Sequence, residues 1–267
     1  MAEATLGARA GISPRKFYLA IAWTCLAVAV IGFMPTYFMP LAQSRFDAPP
    51  LIHIHGLVMF SWVAFFVIQT SLVSNGNVLA HRTWGVVGVS IVTAMVFIVT
   101  AVETMRIHAA SATPGVPAGL AEGVKAFSWV TMGGLVFLVA VFILAIANIK
   151  RPEIHKRLML LMTSSMLTPP IARWFLTFLA PPPDPGAPAL PPGVEGAPPT
   201  FVAIPPALVG DIVLLIAMTY DWRTRGRPHP VYLIGGAILL AYQLTVSQVG
   251  HSAVWLTVAT WIGKMAG

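Results

Sequence analysis

The chain has 267 residues, 57% of them hydrophobic and 9% charged, where an ordinary soluble domain carries about 25% charged residues. A water-soluble globule is excluded, and a lipid bilayer is the partner that this composition requires. The formal charge of +7 is no nucleic-acid footprint, because the basic residues gather in short loops between apolar runs.

A helix needs about 20 apolar residues to cross the hydrocarbon core. Seven runs predict such helices, at roughly 17–39, 52–73, 83–106, 127–149, 156–179, 201–220 and 231–249. The fold class read from them is an all-α polytopic membrane bundle, a single transmembrane domain over 1–267. Helices follow from the solvent: lipid offers backbone groups no hydrogen bonds, so each segment must satisfy its own.

The first run follows Arg9, Arg15 and Lys16 and holds the only cysteine, Cys25. It is too long for a secretory h-region and no small-x-small cleavage site follows, so it reads as a retained span. With one cysteine, a disulfide within the chain and a Cys-ligated metal cluster are both excluded. Between the fifth and sixth runs, 181–206 is crowded with Pro, Ala and Gly and predicts an extended cover on the outer side. The last piece, roughly 251–263, carries Trp255 and Trp261 and predicts an interfacial helix or an extension of the seventh span.

Lysine and arginine set the orientation. With the N-terminus inside, the inner segments hold Arg9, Arg15, Lys16, Arg82, Lys150, Arg151, Lys156, Arg157, Arg223, Arg225 and Arg227. The outer ones hold Arg45, Arg106, Lys125 and Lys264, with Arg173 inside a span. The positive-inside rule places the N-terminus in the cytoplasm and the C-terminus outside.

Three histidines recur at one interval. His81, His155 and His229 stand 74 residues apart, each opening an apolar run on a basic shoulder. All three fall on the inner side. Neutral imidazole is a ligand for iron, copper and zinc, and helix bundles build cofactor sites from facing helices. His81 with His155 is the preferred pair for clamping a haem iron. Arg82, Lys156 and Arg157 would meet the propionates, and Gly85, Gly88, residues 163–165, Gly235 and Gly236 would let the flat ring pass. Prolines 228 and 230 flank His229 and mark it as a loop residue. Plain anchoring of the histidines to lipid headgroups is the competing reading.

On the outer side His55 and His251 form a second candidate pair, with His53 and His108 nearby in sequence. A site at each face would suit passing electrons across. Glu103, Arg173 and Asp211 lie within spans, where ionisable groups are costly and face a partner or a wet cavity. Arg173 is expected to pair with Asp211 or Glu103, or else the three line a polar pocket for a quinone headgroup, haem propionates or protons, with His55 nearby. Glu103 has the alternative of snorkelling beside Arg106. Pro169 and Pro170 predict a kink just before Arg173. Gln69 and Gln243 read as interhelical hydrogen bonds.

His55-Gly56, Gln69 to Val73, His81-Arg82-x-x-Gly85, Arg151-Pro152-Glu153-x-His155-Lys156-Arg157-Leu158-Met159 and Tyr220-Asp221 through His229-Pro230 resemble a group of uncharacterised bacterial polytopic inner-membrane proteins. The resemblance runs from about residue 51 onward. It implies a multi-pass protein of the bacterial inner membrane and no particular activity. The histidines at both faces are also loosely similar, in architecture alone, to two-haem b-type transmembrane cytochromes.

The functional expectation is a haem b electron-transfer protein working with quinone. Its alternative is a non-redox small-solute permease or an assembly subunit of a larger membrane complex, with Glu103, Arg173 and Asp211 lining a path. A third is a metal-dependent membrane enzyme using His81, His155, His229 and Asp221.

Overall fold

The computed structural model describes residues 13–180, 190–191, 194 and 196–266. Arg9 and, of the Pro-rich stretch 181–206, residues 181–189, 192, 193 and 195 lie outside these. Every regular element among the described residues is helical.

Four helices have proline as their first residue, where its missing N–H costs nothing. These are α1 (Pro14–Phe33), α3 (Pro50–Ser74), α6 (Pro152–Ser165) and α10 (Pro230–Leu244). α1 passes through a π turn, Met34–Phe38, into the short α2 (Met39–Ala42). Pro35 deprives the Ile31 carbonyl of its i+4 donor, and the Trp174 indole N–H fills that vacancy at 2.9 Å. The turn from α3 to α4 (Val78–Ala112) uses Gly76 at φ 80°, a conformation that suits glycine. Asn77 then caps α4 by accepting the Ala80 N–H at 3.2 Å.

α5 (Ala118–Ala147) returns antiparallel to α4 and leads into α6. After α6 come α7 (Thr168–Trp174) and a π turn, Phe175–Leu179. A 3-10 turn, Thr200–Ala203, leads to α8 (Ile204–Gly210) and α9 (Ile212–Arg225), which stops at Gly226 with φ 78°. α10 is followed by α11 (Val246–Gly250) and α12 (Ala253–Lys264).

Five helical stretches are long and apolar enough to cross a membrane: Pro14–Ala42, Pro50–Ser74, Val78–Ala112, Ala118–Ala147 and Thr200–Arg225. The runs expected as the fifth and seventh spans are interrupted, at Met166–Leu167 and at Thr245. The outer surface is apolar, with Trp23, Phe97, Val136 and Ile143 exposed, as suits a lipid-facing bundle.

One core joins α1, α3, α4, α5, α6, α9 and α10 through buried residues such as Cys25, Trp62, Met95, Ala145, Leu161, Ala217 and Tyr232. Small residues let the helices close up. A Cβ on Gly32 would collide with Pro170, one on Gly235 with Leu161, and one on Gly133 with Tyr242.

The ends of α4 and α5 carry a second core. Thirty-five residues make α4 about 52 Å long, against a hydrocarbon core of roughly 30 Å. α12 packs across this overhang, with Trp255 and Ala259 joining Ile107, Ala110, Val124 and Met132. The Trp255 indole donates to the Lys125 carbonyl at 2.9 Å, and His108 Nδ1–H donates to the Gly263 carbonyl at 3.1 Å. So the last piece is a separate helix laid on α4 and α5, and not an extension of the preceding run.

Helix boundaries differ from expectation at one functionally useful place. α4 starts at Val78 and not near residue 83. His81 and Arg82 therefore sit within its first turn and are held by helical geometry, not by a loop.

Candidate functional site: a histidine pair at the basic end

The starts of α1, α4, α6 and α10 meet the ends of α3, α5 and α9 at one end of the bundle, where the basic shoulders collect. Its centre is an ion-pair knot. Arg157 on α6 and Asp221 on α9 are 1% and 0% exposed. Arg157 Nε and Nη2 donate to the two oxygens of Asp221 at 2.8 and 2.5 Å, a bidentate pair. Its Nη1 donates to the Glu153 carbonyl and carboxylate at 2.7 and 2.8 Å.

Glu153 also accepts from Lys156 at 2.6 Å and pairs with Arg225. Its partial burial acts to raise its pKa, but the bonds from Lys156 and Arg157 outweigh that and hold the carboxyl down at about 2. Aromatic rings wall the knot. Lys156 lies over Tyr18, Arg157 over Tyr232, and the two hydroxyls share a hydrogen bond at 3.1 Å. Phe17 stacks on Tyr220 at 3.8 Å.

His81 and His155 come together beside this knot. Their ring centroids are 6.4 Å apart, with planes at 76°. His155 Nδ1 lies 2.9 Å from the Ala145 carbonyl. A carbonyl only accepts, so Nδ1 carries the proton and Nε2 keeps its lone pair. That is the outer-sphere arrangement that fixes the tautomer of metal-binding histidines. His81 Nδ1 is buried without a hydrogen bond, although the Gln69 carbonyl lies close to the ring.

Gln69 itself is 7% exposed, and neither of its amide atoms has a partner. The sequence reading took it for an interhelical hydrogen bond. It is instead an unsatisfied amide next to the histidine pair, legible only as part of the Gln69 to Val73 segment.

The separation of 6.4 Å is that of an edge contact between two rings, close to the 6.2 Å between Trp129 and Tyr242. Gly85, one turn above His81 on the same helix face, has nothing within 4 Å of its Cβ position. A haem ring would therefore have room on that side.

Other parts of the expected haem pocket are used elsewhere. Arg157 is spent on Asp221 and Glu153, and Lys156 on Glu153, so of the three expected cations Arg82 has no such bond in the knot. Gly88 is filled by Phe65 and Gly235 by Leu161. Thr163 accepts the Trp62 indole N–H at 3.2 Å and donates to the Met159 carbonyl at 2.9 Å.

His229 does not join the pair. It is the N-cap of α10, where its Nδ1 accepts the Val231 N–H at 3.2 Å. Its pKa is lowered, first by burial and then by Arg157 and Arg225. Among the described residues no three His, Cys, Asp or Glu side chains assemble as a metal site. The trio of His81, His155 and His229, with or without Asp221, is thereby corrected: equal spacing along the chain did not bring the third histidine into reach.

At the far end His55 and His251 belong to different neighbourhoods. α3 packs on α1 and α4, while α11 packs on α5. His251 is exposed and its Nδ1–H donates to the Ser247 carbonyl at 3.0 Å. His55 lies within electrostatic reach of Arg173, with its Nδ1 buried and without a hydrogen bond. Tyr37 and His53 are hydrogen-bonded beside it at 3.1 Å.

Of the three ionisable residues expected within spans, Glu103 pairs with Arg106 at 3.2 Å, Arg173 stands over the Phe33 ring at 5.7 Å, and Asp211 accepts from Gln243 at 3.2 Å.

No protein-family model matches the chain, and no match was found among curated proteins or solved structures.

Proposed function

We propose that this chain is a seven-span protein of the bacterial inner membrane, N-terminus in the cytoplasm, that holds a b-type haem between His81 and His155 and moves electrons to or from a quinone-class partner. Seven spans follow when each interrupted run is counted as one crossing, which also keeps all the basic shoulders on one side. The observation that carries the haem is the meeting of the two imidazoles at one end of the bundle, with the Nδ1 of His155 bonded to the Ala145 carbonyl. Bound haem would supply one-electron chemistry, with its potential set by axial ligands, burial and hydrogen bonds. His81 and His155 would hold the iron, the Ala145 carbonyl orients His155, Arg82 would meet a propionate, and Gly85 would leave space for the ring. The neighbouring Arg157–Asp221 knot holds α6 in register, so His155 keeps its position relative to α4.

The test is the absorption spectrum of the protein purified after expression with haem supplied. A Soret band should appear, be lost in His81→Ala and His155→Ala, and be lost also in Gly85→Leu without a change in folding. His229→Ala and His251→Ala should keep it. Absence of the band, or its survival in both ligand variants, overturns the assignment.

A further inference from the structure

Three helical runs break at one level of the bundle. Between α6 and α7, Pro169 and Pro170 lack the N–H groups that would bond the Ser165 and Met166 carbonyls. α8 passes into α9 at Asp211, and α10 into α11 at Thr245, whose hydroxyl bonds back to the Ala241 carbonyl at 2.7 Å. The levels coincide. A Cβ on Gly210 would lie 3.6 Å from the Cβ of Leu167, and Gln243 Nε2 donates to Asp211 Oδ1 at 3.2 Å. Within the apolar stretch Thr200–Arg225, Asp211 lies about 16 Å from one end and about 21 Å from the other at 1.5 Å per residue.

A carboxylate at that depth is costly unless its charge is compensated, and one amide N–H does not neutralise it. Gln243 is 4% exposed, and its Oε1 is buried without a partner. That oxygen sits on the same amide that touches Asp211. The site thus offers a carboxylate and an unspent amide oxygen, both of them hard acceptors. Broken helices at the bilayer midplane are how membrane proteins present such oxygens to ions.

Other charged and titratable groups on the elements packed here make the following contacts. Arg173 on α7 faces Phe33 and acts on His55. Tyr242 on α10 donates to the Val130 carbonyl, and Arg157 on α6 and Asp221 on α9 bind each other.

We propose that Asp211 and Gln243, at the common level of these breaks, form an intramembrane site for a small monovalent cation, with the carboxylate as its charge partner. A proton and a sodium ion share this chemistry. The site is separate from the histidine pair and stands whether or not haem binds. The competing reading is a plain hydrogen-bonded tie between α9 and α10.

The experiment uses the full chain in detergent. In one arm, thermal stability is followed against NaCl, with choline chloride holding ionic strength constant. In the other, difference infrared spectra follow the carbonyl stretch of a protonated carboxyl from mildly acid to mildly alkaline pH. A sodium site gives a saturating rise in melting temperature that Asp211→Asn abolishes and Gln243→Leu weakens by about tenfold in half-saturating concentration. A proton site gives a titrating carboxyl band that Asp211→Asn removes and Gln243→Leu shifts, with no sodium effect. Gln243→Leu keeps the carboxylate and serves if Asp211→Asn fails to fold. A stability indifferent to sodium, together with no titrating band assignable to Asp211, overturns the proposal and leaves the tie.

Discussion

Replacing Asp221 with alanine isolates the contribution of the ion-pair knot. Both Asp221 oxygens accept from Arg157, and both residues are essentially inaccessible to solvent. Removing one partner of such a pair strands the other charge, at a cost of about 3–5 kcal/mol. Two charge-assisted bonds are lost, which at about 1.5–3 kcal/mol each reaches the same range. Glu153 still holds Nη1, so the lower half of that range is expected. Glu153→Ala should cost much less, under about 1 kcal/mol, because a solvated carboxylate contributes little even in a network; its side chain is 47% exposed. The double variant Arg157→Met/Asp221→Leu should return to within about 1–2 kcal/mol of the parent, since neither charge is then buried unpaired. Chemical unfolding in one fixed detergent, followed by tryptophan fluorescence, measures all three. If Asp221→Ala loses no more stability than Glu153→Ala, or if the double variant is as unstable as the single, the argument from burial fails.

Acid should expose Glu153. Its folded pKa of about 2 lies below the usual 4.5, so its contribution to stability is full above the ordinary value and disappears as pH falls from there toward about 2. Glu153→Gln should therefore be less stable than the parent at neutral pH, with the gap closing across that window in a pH series of unfolding curves. Helix contact should answer to glycine. Gly32→Ala drives a methyl into Pro170 and should cost about 1–3 kcal/mol, whereas Gly56→Ala meets nothing within 4 Å and should be neutral or slightly stabilising through helix propensity. The pair is compared by melting temperature in the same detergent.

The helical architecture was legible because lipid leaves few choices: long apolar runs become helices, and Pro50, Pro152 and Pro230 mark where three of them start. The kink expected from Pro169 and Pro170 is present as the break between α6 and α7. The break at Thr245 was not foreseen, because Thr245 bends its helix through a hydroxyl-to-carbonyl bond that any threonine in an apolar run can make or forgo. Equal spacing picked out His81, His155 and His229, and two of the three meet. Spacing fixes depth along the bundle but not which helices are neighbours. That is why His229, at similar depth, caps α10 instead of facing the pair, and why His55 and His251 fall on different sides.

The same distinction explains Arg157 and Asp221. Their positions at a run's start and a run's end put them at one depth, yet nothing in either segment says that α6 and α9 touch. The sequence therefore leaves Arg157 available to a propionate, and packing commits it to Asp221. This narrows the haem proposal usefully. Of the three cations expected for the propionates, Arg82 on α4 is the one outside the knot, on the helix that bears His81. A ring held between His81 and His155 would then be gripped by α4 through iron and propionate alike. Arg82→Ala should loosen it without disturbing the knot, a separation that Arg157 and Lys156 cannot give because both bind Glu153.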